Sequence, residues 1–180
     1  MDLSKNFFQI FALPVSYDVD NEKLMDSYRK LQQVVHPDLF TTATDHEKRL
    51  SAEAAAYLND GLDTLKQPVK RAIYLLELVG VNVDFENSSA MAPAFLMEQM
   101  ELRELLESVA ESNDPFLALD QLYERVDVLQ KKLIVEFENA YAQGDSESLQ
   151  LAANVVAEMQ FVEKLRLDIE HLEELLDETA

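Results

Sequence analysis

The chain has 180 residues, of which 48% are hydrophobic and 28% charged, with only 3 Gly and 5 Pro; this composition excludes fibrous and disordered proteins and favours a helical globular one. It contains no Cys, which excludes disulfides, zinc–thiolate sites and thiol catalysis. The net charge of −20 lies mostly in the second half, where residues 81–180 hold 6 Lys and Arg against 23 Asp and Glu, and this excess argues against binding to nucleic acid.

The first 36 residues predict two helices. A short helix is predicted over residues 7–12, ended before Pro14, and Asp20 is predicted to cap the second helix. The apolar stripe of this second helix consists of Leu24, Tyr28, Leu31 and Val35. Because Pro37 disfavours helical geometry at the residue before it, we expect the helix to stop at His36.

Two further helices are predicted before residue 80. The third runs from about Asp45 to Lys66, and Pro68 suits the first position of a fourth helix that ends near Gly80. The inner face of the third helix is predicted to comprise Leu50, Ala54, Tyr57, Gly61 and Leu65. The small residues on this face permit close approach of a neighbouring element.

Residues 81–92 lose the helical period and separate the near-neutral half from the acidic half, so we place a linker there. Beyond it, Pro93, Asp114-Pro115 and Gly144 punctuate three long periodic segments that end near Ser112, Gln143 and Thr179. Three long helices joined by short turns predict an antiparallel bundle. The sequence thus predicts an all-α protein with domains at residues 1–80 and 93–180.

The tripeptide His36-Pro37-Asp38 is the most informative motif of the N-terminal half. It stands at the predicted exit of the second helix, ahead of a long helix. The surrounding pattern reads Leu24-x3-Tyr28-Arg29-Lys30-Leu31-x4-His36-Pro37-Asp38-x-Phe40, then Leu58-Asn59-x5-Leu65-Lys66-Gln67-Pro68-x-Lys70-Arg71-Ala72-x-Tyr74. This pattern closely resembles a J-domain over about residues 5–78.

The J-domain resemblance implies an N-terminal helical hairpin with short flanking helices and a docking role for the tripeptide. Helped by Arg29 and Lys30, the tripeptide would engage a DnaK-class chaperone and favour the state that hydrolyses ATP. The proline fixes a turn that leaves the Asp38 carboxylate available to a cationic partner. The chain departs from the J-domain pattern at Val35, where an aromatic residue is usual, and at Leu39, where Lys is usual. The lost positive charge predicts weak docking or selectivity for one chaperone.

The C-terminal half narrows the type of J-domain protein. No Gly/Phe-rich linker or cysteine repeat follows the J-like segment, which excludes the DnaJ layout. Residues 94–104, Ala-Phe-Leu-Met-Glu-Gln-Met-Glu-Leu-Arg-Glu, and residues 161–166, Phe-Val-Glu-Lys-Leu-Arg, resemble the C-terminal domain of the HscB family. The resemblance covers essentially the whole chain.

One helical strip in this half mixes apolar and acidic residues, namely Leu96, Met97, Met100, Glu101 and Glu104. Exposed apolar groups ringed by charge mark interaction sites, and methionine adapts well to contact surfaces. Core packing of each residue is the open alternative. The HscB resemblance implies that this strip, together with Phe161, holds the iron–sulfur scaffold protein IscU.

The resemblance therefore implies a co-chaperone that delivers IscU to an HscA-type chaperone and stimulates its ATPase. Two alternatives stay open: a J-domain co-chaperone with a different client, and a helical binding module without chaperone output. Three scattered histidines and the lack of a phosphate loop predict no enzyme, cofactor or metal. We further expect no membrane segment, a monomer favoured by charge repulsion, and a bacterial cytoplasmic location because no transit peptide is apparent.

Overall fold

The computed structural model describes residues 2–35, 44–83, 85 and 93–179. Over these residues the chain is helical and has no strand, which confirms the predicted all-α class. The helices are α1 (Phe7–Ile10), α2 (Asn21–Val35), α3 (Asp45–Lys66), α4 (Pro68–Leu78), α5 (Pro93–Ser108), α6 (Pro115–Gln143) and α7 (Ser146–Thr179), with a 3-10 turn at Val109–Glu111. Residue contacts divide the chain into two compact units, residues 1–75 and residues 76–180.

Local hydrogen bonds set the bounds of the first two helices. The Asn6 side chain accepts from the backbone N–H of Gln9, and the Gln9 side chain accepts from that of Asn6, which forms a capping box at α1. This helix is shorter than the predicted residues 7–12 because Phe11 is its C-cap and Ala12 takes a left-handed φ of 54°. Asp20 accepts two backbone N–H groups at the start of α2, as predicted for an N-cap.

Helices α2 and α3 form an antiparallel hairpin. The Tyr28 hydroxyl donates to the side-chain oxygen of Asn59 at 2.8 Å, and the Ser51 hydroxyl donates to the backbone carbonyl of Val35 at 2.6 Å. Residue numbers rise on one helix as they fall on the other at these contacts, so the helices run in opposite directions. The predicted stripe of α2 faces inward, with Leu24 and Val35 buried.

The buried face of α3 differs from the prediction at its first position. Leu50, predicted to lie on the inner face, is 48% exposed, and Tyr57 is half-buried. The buried residues of α3 are Ser51, Ala54, Leu58, Gly61 and Leu65. Ser51 can lie inside because its hydroxyl has a hydrogen-bond partner. At Gly61 an added Cβ would lie 2.8 Å from the Phe7 ring, so this glycine permits the close approach that the sequence predicts.

A buried arginine ties α4 to the rest of the first unit. Arg71 is 7% exposed and donates to the backbone carbonyls of Leu65 and Tyr17, each at 2.7 Å. Its guanidinium also lies 5.4 Å from the centroid of the Tyr17 ring. Burial lowers the pKa of Arg71, but a guanidinium stays charged at neutral pH. The side chain thus joins the C-terminal end of α3 to the segment before α2.

Helix α4 begins at Pro68 and stops before Gly80, as predicted. Gly80 adopts a left-handed φ of 80°. The Gly80 N–H donates to the Glu77 carbonyl at 3.0 Å, and the Val81 N–H donates to the Leu76 carbonyl at 2.9 Å. This pair of bonds is a Schellman motif, which satisfies carbonyls that the end of a helix leaves unpaired.

Within the second unit, α5, α6 and α7 form the predicted three-helix bundle, built around the long pair α6 and α7. The Tyr123 hydroxyl donates to the Glu173 carboxylate at 2.8 Å, and Arg166 pairs with Asp127, contacts that again require an antiparallel arrangement. Gly144, with φ of 72°, ends α6. Helix α5 ends at Ser108 rather than near Ser112, because the last residues tighten into the 3-10 turn. The core includes Phe95, Leu102, Val126, Leu133, Phe137, Val156 and Ile169.

Candidate functional site

The outer face of α2 carries the two basic residues that the sequence assigns to chaperone docking. Arg29 and Lys30 are both exposed, on the side of the helix away from the buried Leu24. Arg29 forms an ion pair with Asp26 at 3.5 Å, but both side chains are about two-thirds exposed, so the pair contributes little and can open for a partner. The tripeptide at residues 36–38 and Leu39 lie outside the described residues.

The predicted strip on α5 is exposed. Met97 is 66% exposed, Met100 64% and Leu96 38%, and Glu101 and Glu104 are exposed beside them. The opposite face of α5 is the one that packs, because Phe95 and Leu102 are 5% and 1% exposed. The strip therefore does not belong to the core, and its apolar side chains lie in water among carboxylates.

Phe161 on α7 joins the edge of this strip. It is half-buried and packs edge-to-face on Phe95, with ring centroids 5.8 Å apart. The guanidinium of Arg103 lies 5.4 Å from the centroid of the same ring. An open groove of about 610 Å³ runs between the two helices here, lined by Leu96, Phe161, Leu167 and their neighbours. The structure thus brings the α5 strip and Phe161 together on one surface.

The other edge of the strip faces α6. Glu101 accepts from the Arg125 guanidinium at 3.3 Å across the two helices, with both side chains largely exposed. The HscB resemblance implies that this surface is the client site, and we therefore name it the client strip. Its defining residues are Leu96, Met97, Met100, Glu101, Glu104 and Phe161. Its chemistry suits a partner with apolar side chains and basic groups.

Sequence reasoning missed three neighbours of the client strip. Arg103 contacts the Phe161 ring, and Lys164 and Leu167 line the groove, with Leu167 60% exposed. The spacing of Lys164 and Leu167 from Phe161 places them along one side of α7, which was the available signal. That signal is weak because apolar residues occur on most sides of this long helix.

Within the described ranges, no group of three or more His, Asp or Glu side chains comes together as a metal site. In the same part of the chain, none of the helices combines the length and apolar character that crossing a bilayer requires.

A helical hairpin with short flanking helices, followed by a three-helix bundle, is the architecture that the J-domain resemblance implies for a J-domain protein with an appended helical domain. Residues 91–170 match the family model described as the HSCB C-terminal oligomerisation domain. Because co-chaperone HscB homologues that are 39% identical match 95% of this chain, the chain belongs to the HscB family of co-chaperones, as its sequence resemblance predicted.

Relatives match along nearly the whole chain. The co-chaperone protein HscB homologues of Shewanella amazonensis and Vibrio cholerae are each 39% identical over 171 residues, which span 95% of this chain and 98% of theirs. The solved structure of chaperone HscB from Vibrio cholerae has a TM-score of 0.85 at 38% identity and covers 96% of this chain and 99% of its own. The crystal structure of human co-chaperone protein HscB has a TM-score of 0.85 at 28% identity, covering 96% and 84%.

Proposed function

We propose that this chain delivers the iron–sulfur scaffold protein IscU to an HscA-type chaperone and stimulates the ATPase of that chaperone. The observation that carries the proposal is the exposed client strip. It lies on α5, on the face opposite the buried Phe95 and Leu102, in a chain that belongs to the HscB family. Exposed apolar residues occur elsewhere on this chain, but Leu96, Met97 and Met100 lie within five positions on one side of α5, so one partner could bury all three.

The client strip would bind IscU by apolar contact and by charge. Leu96, Met97 and Met100 supply the apolar area, and Phe161 supplies an aromatic anchor at the groove. Carboxylates on the same helix steer a basic partner toward the strip and oppose acidic ones. This arrangement fits a client with an apolar patch flanked by Lys or Arg.

The first unit would bind the chaperone. Arg29 and Lys30 form a cationic surface on α2, and the carboxylate of Asp38 in the tripeptide offers an anionic contact. Binding of these groups to the ATP-hydrolysing state more tightly than to the resting state would shift the chaperone toward hydrolysis. Leu39, uncharged where Lys is usual, favours selectivity for one chaperone over general activity.

One chain that holds both partners couples them. A client held by the second unit reaches the chaperone at a high effective concentration, because its encounter becomes intramolecular. If the client and the chain also favour the same chaperone state, each increases the affinity of the other by the same factor. Stimulation of ATP hydrolysis by this chain and by the client should therefore be synergistic.

The test is steady-state ATP hydrolysis by an HscA-type chaperone, titrated with this chain and with Asp38→Asn, with and without IscU. We expect stimulation that requires Asp38 and that rises more than additively with IscU. Stimulation indifferent to IscU would reassign the client and keep the J-domain role. No stimulation of either this chaperone or DnaK would leave the helical binding module as the function.

The remaining assignments belong to the same proposal. We place the functional domains at residues 1–80 and 93–180 and the protein in the bacterial cytoplasm, acting without a cofactor and without nucleic acid or membrane. The acidic surface favours a monomer, whereas the matching family model carries oligomerisation in its description. Sedimentation equilibrium at micromolar concentration separates these two states.

A further inference from the structure

Ser51 is a buried polar residue that the proposed docking mechanism does not use. It is 4% exposed, and its hydroxyl donates to the backbone carbonyl of Val35 at 2.6 Å. Val35 is the last residue of α2 and is itself 7% exposed. The bond therefore joins α3 to α2 at the residue that directly precedes the tripeptide.

The hydrogen bond described for the Val35 carbonyl comes from outside its own helix. The last four carbonyls of an α-helix have no intrahelical partner. A buried carbonyl without a partner costs free energy comparable to a lost hydrogen bond. The Ser51 hydroxyl supplies a partner to this buried carbonyl from the neighbouring helix, which explains why a serine occupies an inner position of α3.

The bond from Ser51 also fixes the position of the end of α2 relative to α3. The other hydrogen bond described between α2 and α3, from Tyr28 to Asn59, lies two turns earlier on α2. The contact from Ser51 thus holds the last turn of α2 at a set distance from α3. Without it, the end of α2 can fray, since helix ends open more readily than helix interiors.

We propose that Ser51 is a positioning residue for chaperone docking, whose bond to the Val35 carbonyl fixes the point from which the chain enters the tripeptide. This inference rests on the proposed function. When the anchor is lost, the chaperone must order the entry segment as it binds, and this ordering weakens docking. Removal of one hydrogen bond of this kind should raise the concentration for half-maximal stimulation about 5-fold to 10-fold.

The experiment titrates ATPase stimulation with the full chain and with Ser51→Ala, Ser51→Thr and Tyr57→Phe. Tyr57→Phe is the matched control, because the Tyr57 hydroxyl also donates from α3 to a backbone carbonyl, that of Lys5, at 2.8 Å. We expect Ser51→Ala to raise the half-stimulating concentration while stimulation at saturation is unchanged. Ser51→Thr, which keeps the hydroxyl, and Tyr57→Phe should stay within about 2-fold of the parent.

Each outcome decides the inference. Equal shifts for Ser51→Ala and Tyr57→Phe, with Asp38→Asn still inactive, would overturn the positioning role and leave the proposed function standing. No stimulation by the parent chain would overturn both. If Ser51→Ala is unfolded at the assay temperature, Ser51→Cys replaces it, since a thiol keeps the volume but donates weakly, and the same direction of shift is expected.

Discussion

Truncation of the client strip should weaken client binding with little change in stability. The perturbation is the triple variant Leu96→Ala, Met97→Ala and Met100→Ala. Complete burial of such a side chain contributes about 2 kcal/mol. Scaled by exposed fractions of 38%, 66% and 64%, contact with a partner gains about 0.8 kcal/mol from Leu96 and about 1.3 kcal/mol from each methionine. Because alanine keeps one carbon of each side chain, the expected loss is about 2–3 kcal/mol, or roughly a 30-fold to 150-fold higher Kd.

Calorimetric titration of IscU into the chain and into the variant measures this loss. The matched control is Leu117→Ala, Val128→Ala and Val135→Ala, which removes side chains that are 53%, 68% and 56% exposed on the outer face of α6. We expect the control to bind IscU with the parent Kd, and both variants to unfold at the parent temperature. Equal affinities of the two triple variants would refute the assignment of the client strip. Removal of exposed apolar side chains from α5 and from α6 would then have the same effect on IscU binding.

Three further predictions concern stability. Gly61→Ala should lower the free energy of unfolding by about 1 kcal/mol, since a Cβ 2.8 Å from the Phe7 ring causes overpacking that exceeds the gain in helix propensity, and thermal denaturation measures it. Arg71→Met should cost about 3 kcal/mol in urea denaturation, because two buried carbonyls lose a charged donor; a loss below about 1 kcal/mol would contradict this. Burial, with the bond to Glu173, raises the pKa of Tyr123 to about 12 from 10.0, so the folded state favours the protonated phenol. Its contribution is complete below pH 10.0 and is lost as the pH rises through about 12, so the stability difference between the parent and Tyr123→Phe should shrink over that window, whereas a constant difference would be inconsistent with the shift.

The sequence predicted the ends of the helices better than it predicted which residues are buried. Asp20 and Gly80 mark ends that the structure confirms, because caps depend on residues adjacent in sequence. The inner face of α3 was misplaced at its start because a periodicity argument prefers Leu50 to Ser51 on a buried face. Only the tertiary contact with the Val35 carbonyl makes the serine suitable for burial, and no local pattern contains that contact.

The α5 residues of the client strip were predictable because they are close together in the sequence. Its mixture of apolar and acidic residues lies on one helix, so the period of α5 brings them together without knowledge of the fold. The contacts of Phe161 with Phe95 and Arg103 join residues that are about sixty positions apart, and they require the packing of α7 on α5. The hydrophobic periodicity of a single sequence does not indicate which side chains of different helices are in contact.

The exposure of two methionines gives the client strip a chemical vulnerability. Among the methionines that the structure describes, Met159 is buried and Met25 half-buried, whereas Met97 and Met100 present their thioethers to solvent. Peroxide converts an accessible thioether to a polar sulfoxide, and methionine sulfoxide reductases reverse the change. Among these four methionines, oxidant would therefore act first on Met97 and Met100 and would leave the buried Met159 intact. If the strip captures the client, as proposed, oxidation would weaken capture before it unfolded the protein, and enzymatic reduction would restore capture without new synthesis.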